Sequence, residues 1–114
     1  MAKYEISVEG NFEEILAQLE NDIINSGLSM QLVDESNYQN AGTKIAVRVY
    51  DKYFMRNGNR ASLNVSVVSG GSEVFISAIG SGGGSGIFLN FSLGAESDLI
   101  NVVAQSISRM GYKL

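Results

Sequence analysis

The segment from Thr43 to Ile79 constrains the fold more than any other part of the 114-residue chain. Apolar and polar residues alternate there in three runs, and two turn sequences separate the runs. An alternation of period two is typical of a strand with one buried face. The clearest run places its apolar side chains at Ala61, Leu63, Val65 and Val67. The segment therefore predicts antiparallel strands that share one apolar face.

The two turn sequences predict how these strands pair. Asn57-Gly58 can adopt the positive φ angles of a type I′ turn, so Thr43 to Met55 and Arg60 to Val68 should form an antiparallel hairpin. Ser69-Gly70-Gly71-Ser72 then leads into a further strand, from Glu73 to Ile79. Within the first of these strands, Ile45, Val47 and Val49 are predicted to face inward. Its opposite face would then carry Lys44, Arg48 and Tyr50.

The residues before the hairpin predict a strand, a helix and a second strand. Tyr4, Ile6 and Val8 alternate with polar residues, and Asn11 can then cap a helix from about Phe12 to Ser26. Apolar residues in this helix follow one stripe, and Gly27 lies where a left-handed residue is expected to end it. The second strand is predicted from the alternating residues Leu28, Met30 and Leu32. The polar run Asp34 to Gly42 is predicted to be a loop or a frayed strand end.

The residues after the third run predict one more strand and a final helix. Ile87 to Leu93 again alternate, which favours a sixth strand. A helical stripe follows from about Ala95 to Met110, and Gly111 is suited to end that helix.

These elements predict a single α+β domain over residues 1–114, in the order β-α-β-β-β-β-β-α. The expected architecture is a curved antiparallel sheet of five or six strands with two helices on one face. This order is similar to that of TATA-binding-protein-like and helix-grip folds, a similarity that carries no function.

Composition excludes several classes of function. The chain has no His and no Cys, so it lacks the residues that most zinc sites, hydrolase triads and general bases near neutral pH require. We therefore predict no catalytic residue, no metal site and no cofactor. A net charge of −4 argues against binding to nucleic acid or an anionic membrane. The absence of a signal-like or membrane-spanning segment predicts a cytoplasmic protein.

Three segments also resemble a known family. These are Lys3 to Glu20, Ala46 to Tyr50 together with Gly58 to Val65, and Ile76 to Gly83. They resemble a family of short, functionally uncharacterised proteins from Gram-positive bacteria. The resemblance implies a stand-alone cytoplasmic domain, and it implies no activity and no catalytic residue.

The glycine tract between the fifth and sixth predicted strands is the first candidate site. Its glycines are Gly80, Gly82, Gly83, Gly84 and Gly86. No pair of them has the spacing of a P-loop, and the tract also lacks the glycine offsets of a dinucleotide-binding loop. Ordering five glycines would cost about 2.5 to 5 kcal/mol relative to alanine. We therefore interpret the tract as a mobile connection.

The basic hairpin is the stronger candidate. Its basic and aromatic side chains are Arg48, Tyr50, Lys52, Tyr53, Phe54, Arg56 and Arg60. Such a mixture can anchor a protein interface or clamp an anionic ligand, or it can form a solvated strand face. From Glu5 to Glu35 there are eight carboxylates and no basic residue. The helix residues Glu13, Glu14, Glu20 and Asp22 could therefore dock on the hairpin of the same or another copy.

The sequence thus predicts a non-enzymatic interaction module that self-associates, or docks a protein partner, through this hairpin. Assembly of this kind should be sensitive to salt. The alternative is a small hydrophobic or anionic ligand bound between the sheet and the C-terminal helix, in a cavity near Leu63, Val65, Phe75 or Ile76, Phe91 and Ile107.

Overall fold

A computed structural model describes residues 2–27, 29–54, 59–82 and 89–112. Within these ranges the elements are β1 (Ala2–Glu9), α1 (Phe12–Ile24), β2 (Gln31–Asn40), β3 (Thr43–Phe54), β4 (Asn59–Gly70), β5 (Glu73–Gly82) and α2 (Leu89–Arg109). The five described strands form one curved, open, antiparallel sheet in the order β1-β5-β4-β3-β2. The predicted α+β architecture is confirmed, with the lower of the two expected strand numbers.

The predicted sixth strand was wrong. Residues 89–93 belong to α2, which begins at Leu89 and not near Ala95, while residues 87 and 88 lie outside the described ranges. The place beside β5 is occupied by β1, which pairs with it from Ala2 opposite Gly80 to Glu9 opposite Glu73. A short apolar run fits both a strand and a helix period, so the run itself could not decide between them.

The core lies between the sheet and the two helices. Its fully buried side chains come from Ile15, Leu19 and Ile23 of α1, from Leu99, Val103 and Ile107 of α2, and from Leu63, Val65, Val67, Val74 and Ile76 of the sheet. Each such side chain contributes roughly 1.5 to 3 kcal/mol when it is removed from water. The helices therefore cover one face of the sheet, as the sequence predicted.

The predicted helix ends are largely confirmed. The side chain of Asn11 accepts a hydrogen bond from the Glu14 amide at 2.9 Å, which caps α1. This helix ends at Ile24, two residues before the predicted end, and Gly27 follows with a φ of +84°. At the end of α2, Gly111 has a φ of +97°, and its amide donates to the carbonyl of Ser108 at 3.0 Å.

The polar run Asp34 to Gly42 is mostly strand. Strand β2 continues to Asn40, and Ala41 and Gly42 form the turn into β3 with φ angles of +49° and +87°. Two positive φ angles between Asn40 and Thr43, which pair directly, are typical of a type I′ turn. This hairpin was not predicted from the sequence, because an alanine rarely adopts a left-handed conformation. Of the predicted strand residues, Leu28 lies outside the described ranges, and Met30 is buried just before β2.

The predicted orientation of β3 was also wrong. Its inward residues are Ala46, Arg48 and Tyr50, which lie directly opposite Val67, Val65 and Leu63 of β4. Ile45, Val47 and Val49 lie on the other face. Residues that pair directly across two strands share a face, so the buried side chains of β4 determine which side of β3 meets the helices.

Two glycines of the predicted mobile tract are part of the sheet. Gly80 is buried and pairs with Ala2 and Leu63, and Gly82 pairs with Ala61. They are ordered because β1 and β4 extend far enough to provide backbone partners. Gly83, Gly84 and Gly86 lie outside the described residues.

Candidate interaction surface

The sheet face opposite the helices brings exposed apolar side chains of several strands together. We call it the open face, because no described helix packs against it. Five strands, each with alternate side chains directed to this face, arrange those side chains in transverse rows. The register of the strand pairs gives the members of each row.

The first row is apolar across four strands. Tyr38 of β2 lies opposite Ile45 of β3, which lies opposite Val68 of β4, which lies opposite Phe75 of β5. The two outer members are the most exposed, with Tyr38 at 56% and Phe75 at 38% of full accessibility. We call these four residues the apolar row.

A second row lies four residues further along each strand and has charged ends. It runs from Lys3 of β1 through Ile79, Asn64 and Val49 to Asp34 of β2. The intermediate row is small and polar at three of its five positions, with Glu5, Ser77, Ser66, Val47 and Ser36. In these three rows the central positions are thus apolar or uncharged and polar, and the charges lie on the edge strands.

The predicted hairpin surface is divided between the two faces. Arg48 is 6% exposed and Tyr50 is 2% exposed, and both lie on the helix side of the sheet, where Lys52 is half-buried. Tyr53 and Arg60 are exposed and lie on the open face. The side chain of Phe54 and the whole of Arg56 are outside the described residues.

Arg48 is held by a set of partners within the chain. Its Nε donates to Glu20 of α1 at 2.7 Å, and one terminal nitrogen donates to the carbonyls of Val47 at 3.0 Å and Ser36 at 3.3 Å. A carboxylate oxygen of Glu35 is 3.6 Å from Nε. The arginine therefore joins α1, β2 and β3.

Basic residues of β3 also neutralise acidic residues of α1. Lys44 donates to Glu13 and also lies 5.9 Å from the ring centre of Phe12. The hydrogen bond from Lys44 lowers the pKa of Glu13. The acidic residues Glu13 and Glu20 thus meet the basic residues of β3 inside one molecule. The two ion pairs thus link α1 to β3 within one chain.

Two further polar groups stabilise the helix layer. Burial alone would raise the pKa of Asp22, but hydrogen bonds from Ser106, Gln18 and Arg109 outweigh it and lower this pKa. The Ser106 hydroxyl donates at 2.6 Å and links α2 to α1. Burial and the nearby Glu20 raise the pKa of Tyr50 to about 12.

The exposed end of the hairpin forms a small polar cavity. Arg60 is paired with Asp51 at 3.1 Å and lies 5.7 Å from the ring centre of Tyr53. The hydroxyls of Ser62 and Ser81 are 2.9 Å apart beside it, and the cavity has a volume of about 220 Å³. Because Arg60 already has a carboxylate partner, this cavity offers no free cation to an anionic ligand.

A broader groove of about 550 Å³ lies on the helix layer. It is lined by α1 and by Met110 and Tyr112, which follow α2. The predicted ligand cavity between sheet and α2 would lie elsewhere, among Leu63, Val65, Ile76 and Ile107, and these side chains are packed in one cluster with at most 1% exposure. The side chain of Phe91 lies outside the described residues, and Phe75 lies on the open face.

Metal-binding clusters and membrane-spanning helices are both absent from the described part of the chain. In these ranges no group of three or more acidic, His or Cys side chains is placed to hold a metal ion. Neither described helix combines the length and the apolar character needed to cross a bilayer.

Sequence reasoning missed most residues of the open face. Ile79, Tyr38 and Ile45 were not proposed as site residues, and Phe75 was proposed only for the ligand cavity between the sheet and the C-terminal helix, although a signal was present. Val74, Phe75 and Ile76 are consecutive apolar residues, and β3 carries apolar side chains on both faces. Strands that are apolar on both faces are expected to be covered on both faces.

The fold and this surface define a small α+β domain in which one face of an antiparallel sheet is covered by helices and the other is open and largely uncharged. Residues 1–111 match the family described as "Family of unknown function (DUF6054)", and the chain belongs to that family. No curated protein matches the chain.

Proposed function

We propose that this domain is a non-enzymatic interaction module that binds through the open face of its sheet, either to a protein partner or to a second copy of itself. The observation that carries the proposal is the apolar row of Tyr38, Ile45, Val68 and Phe75, which crosses four strands without a covering helix among the described residues. Monomeric proteins rarely expose contiguous apolar surface of this kind unless it is an interaction site. We extend the proposal to the cytoplasm of Gram-positive bacteria, as the family resemblance implies.

The composition of the open face supports a protein as the partner. Interface centres are poor in charged residues and rich in aromatic ones, and their rims are polar. The aromatic residue Phe75 lies on the inner strand β5 and Tyr38 lies on the edge strand β2, whereas the charged residues Lys3, Glu5 and Asp34 all lie on the edge strands. A second apolar sheet face, or the apolar stripe of a helix, would match this arrangement.

The exposed end of the β3–β4 hairpin is included in the proposed binding surface. Tyr53 and Arg60 extend the open face beyond the second row, and arginine and tyrosine are common at the centres of protein interfaces. Arg48 and Tyr50 are assigned to the stability of the fold instead. The ligand alternative has less support because the side chains between sheet and α2 are closely packed.

Site-specific photo-crosslinking tests the proposal. A benzophenone amino acid is placed at Phe75 on the open face or, as a control, at Asn101, which is exposed on α2. The proteins are irradiated both purified and in cells that produce them. We expect crosslinked products from Phe75 and none from Asn101. Equal yields at the two positions, or no product at Phe75, would refute the proposal.

A further inference from the structure

We infer that the partner of the open face is a second copy of this chain, related by a two-fold axis that runs within the interface along β4. This inference rests on the proposed function, because it names the occupant of the same surface. Cyclic dimers with self-complementary interfaces are the commonest symmetric assemblies of soluble proteins. The open face must therefore match itself under such an axis, and its rows allow this to be examined residue by residue.

An axis parallel to the strands leaves each row opposite the same row and reverses the order of the strands. Since β4 is the central strand of the order β1-β5-β4-β3-β2, it faces its own equivalent. Strand β5 of one copy then faces β3 of the other, and β1 faces β2. This relation determines which side chains meet.

The apolar side chains are complementary under this axis. Phe75 lies opposite Ile45 of the second copy, and Ile79 lies opposite Val49 of the second copy. Val68 meets its own equivalent. Each pair places a larger side chain against a β-branched one, which favours the interdigitation found where two sheets pack face to face. Small residues occupy the row between them, with Ser66 on the axis.

The charges at the rim are complementary as well. Lys3 of β1 lies in the same row as Asp34 of β2, so the axis brings the two together twice, once at each edge. Glu5 lies opposite Ser36 of the second copy, and the side chain of Glu9 lies opposite Asn40. Packed sheets cross at about 30°, which offsets the edge strands by a few Å, and the length of a lysine side chain spans that offset.

Glu73 and Asp51, on the inner strands of the open face, lie opposite Thr43 and Ser81 of the second copy. The remaining charged residue is Arg60 of β4. It meets its own equivalent at the end of the sheet, where each guanidinium already has Asp51 as its partner. The alternative two-fold axis, across the strands at Ser66, fits less well. It places Glu5 against its own equivalent and Tyr38 against Asp34. The rows therefore favour the axis along β4.

The open face is large enough for such a dimer. Five strands spaced about 4.8 Å apart, and nine residues along each strand at about 3.3 Å, give a surface of roughly 700 Å² per copy. Stable interfaces of standard size bury about 800 Å² per partner. Face-to-face packing of two copies would therefore form an interface of ordinary dimensions.

A charge exchange at the rim tests both the partner and the axis. The mass of the purified full chain is measured by sedimentation equilibrium between about 1 μM and 500 μM, for the wild type and for variants whose fold is checked by circular dichroism. The wild type should form a dimer of two 12.2 kDa chains. Lys3→Glu and Asp34→Lys should each raise the dimer Kd by about tenfold, because each places like charges opposite one another at both edges. The double variant should return to within about twofold of the wild-type Kd.

Two variants complete the design. Glu9→Lys changes the net charge by the same amount as Asp34→Lys, but it faces an asparagine, so it should change the Kd by less than twofold. Phe75→Asp should abolish the dimer. A monomeric wild type at 500 μM, or a dimer whose Kd the double variant does not restore, overturns this inference. In either case any crosslinked product at Phe75 would leave the proposed function intact, whereas the absence of a product would contradict both the proposed function and this inference.

Discussion

Replacing Arg48 should destabilise the fold more than replacing any exposed arginine. Its guanidinium is almost fully buried and donates to Glu20 and to two backbone carbonyls. Breaking one partner of a buried ion pair costs about 3 to 5 kcal/mol. Here Glu20 and Glu35 are 38% and 46% exposed, so water can reach both carboxylates after the change. We therefore expect Arg48→Ala to lower the free energy of unfolding by about 3 kcal/mol, at the low end of that range.

A lysine at position 48 distinguishes the stability contributed by the positive charge from that contributed by the planar guanidinium group. Arg48→Lys retains the positive charge and most of the aliphatic chain, but a single ammonium cannot reproduce the planar fork that reaches both Glu20 and the carbonyls of Ser36 and Val47. We expect a loss of about 1.5 kcal/mol, which corresponds to one charged hydrogen bond. Arg60→Ala is the matched control, because its pair with Asp51 is exposed and should contribute less than about 1 kcal/mol.

Urea unfolding followed by far-ultraviolet circular dichroism measures these differences, since the chain has no tryptophan to report its unfolding by fluorescence. All variants are compared at one protein concentration, because self-association would add to the apparent stability. A loss of 3 kcal/mol should also lower Tm by roughly 12 °C in a domain of this size. If Arg48→Ala and Arg60→Ala have the same free energy of unfolding, the assignment of Arg48 to the stability of the fold is wrong.

Three other changes have expected results of known sign. Ala41 has a φ of +49° in the turn between β2 and β3, so Ala41→Asn should stabilise the fold by about 1 kcal/mol in urea unfolding, because asparagine tolerates this conformation better. Gly42→Ala, at a φ of +87°, should destabilise it, and a stabilising effect would contradict a type I′ turn. The pKa of Tyr50 is raised from 10.0 to about 12, so the folded state favours the un-ionised phenol. The stability that this side chain contributes is therefore complete below pH 10 and is lost as the pH rises through about 12. Ultraviolet titration at 295 nm should show one tyrosine ionising near pH 12 that Tyr50→Phe removes, and an unchanged titration curve in that variant would contradict the buried position.

Several features of the fold could be read from local sequence. The alternation in β4 predicted its buried residues Ala61, Leu63, Val65 and Val67, all of which are at most 2% exposed. Asn11 and Gly111 were identified as helix-end residues, and both have that role. These signals are local, since capping and alternation depend on residues only a few positions apart. The prediction of an antiparallel sheet with two helices on one face followed from them.

The proposed interaction surface could not be predicted from such local signals. The sequence showed acidic and basic residues in separate segments, which indicated contact between two molecules. The folded chain instead joins these segments within one molecule, through Glu20 with Arg48 and Glu13 with Lys44. No local pattern distinguishes an ion pair within a chain from one between chains, because both require the same residue types.

The sequence by itself determined the class of the fold, the central hairpins, the start of α1 and the glycines that follow the two helices. Only the tertiary structure decided which side of β3 is buried, where α2 begins and which strand lies beside β5. The reason is that β3 carries apolar side chains on both faces, so its orientation depends on its register with β4 and on the carboxylate of Glu20, which α1 provides for Arg48. In the same way, β1 returns from the start of the chain to occupy the place beside β5. These are contacts between residues distant in sequence, and they leave Phe75 and its row on a face that local periodicity did not predict to be open.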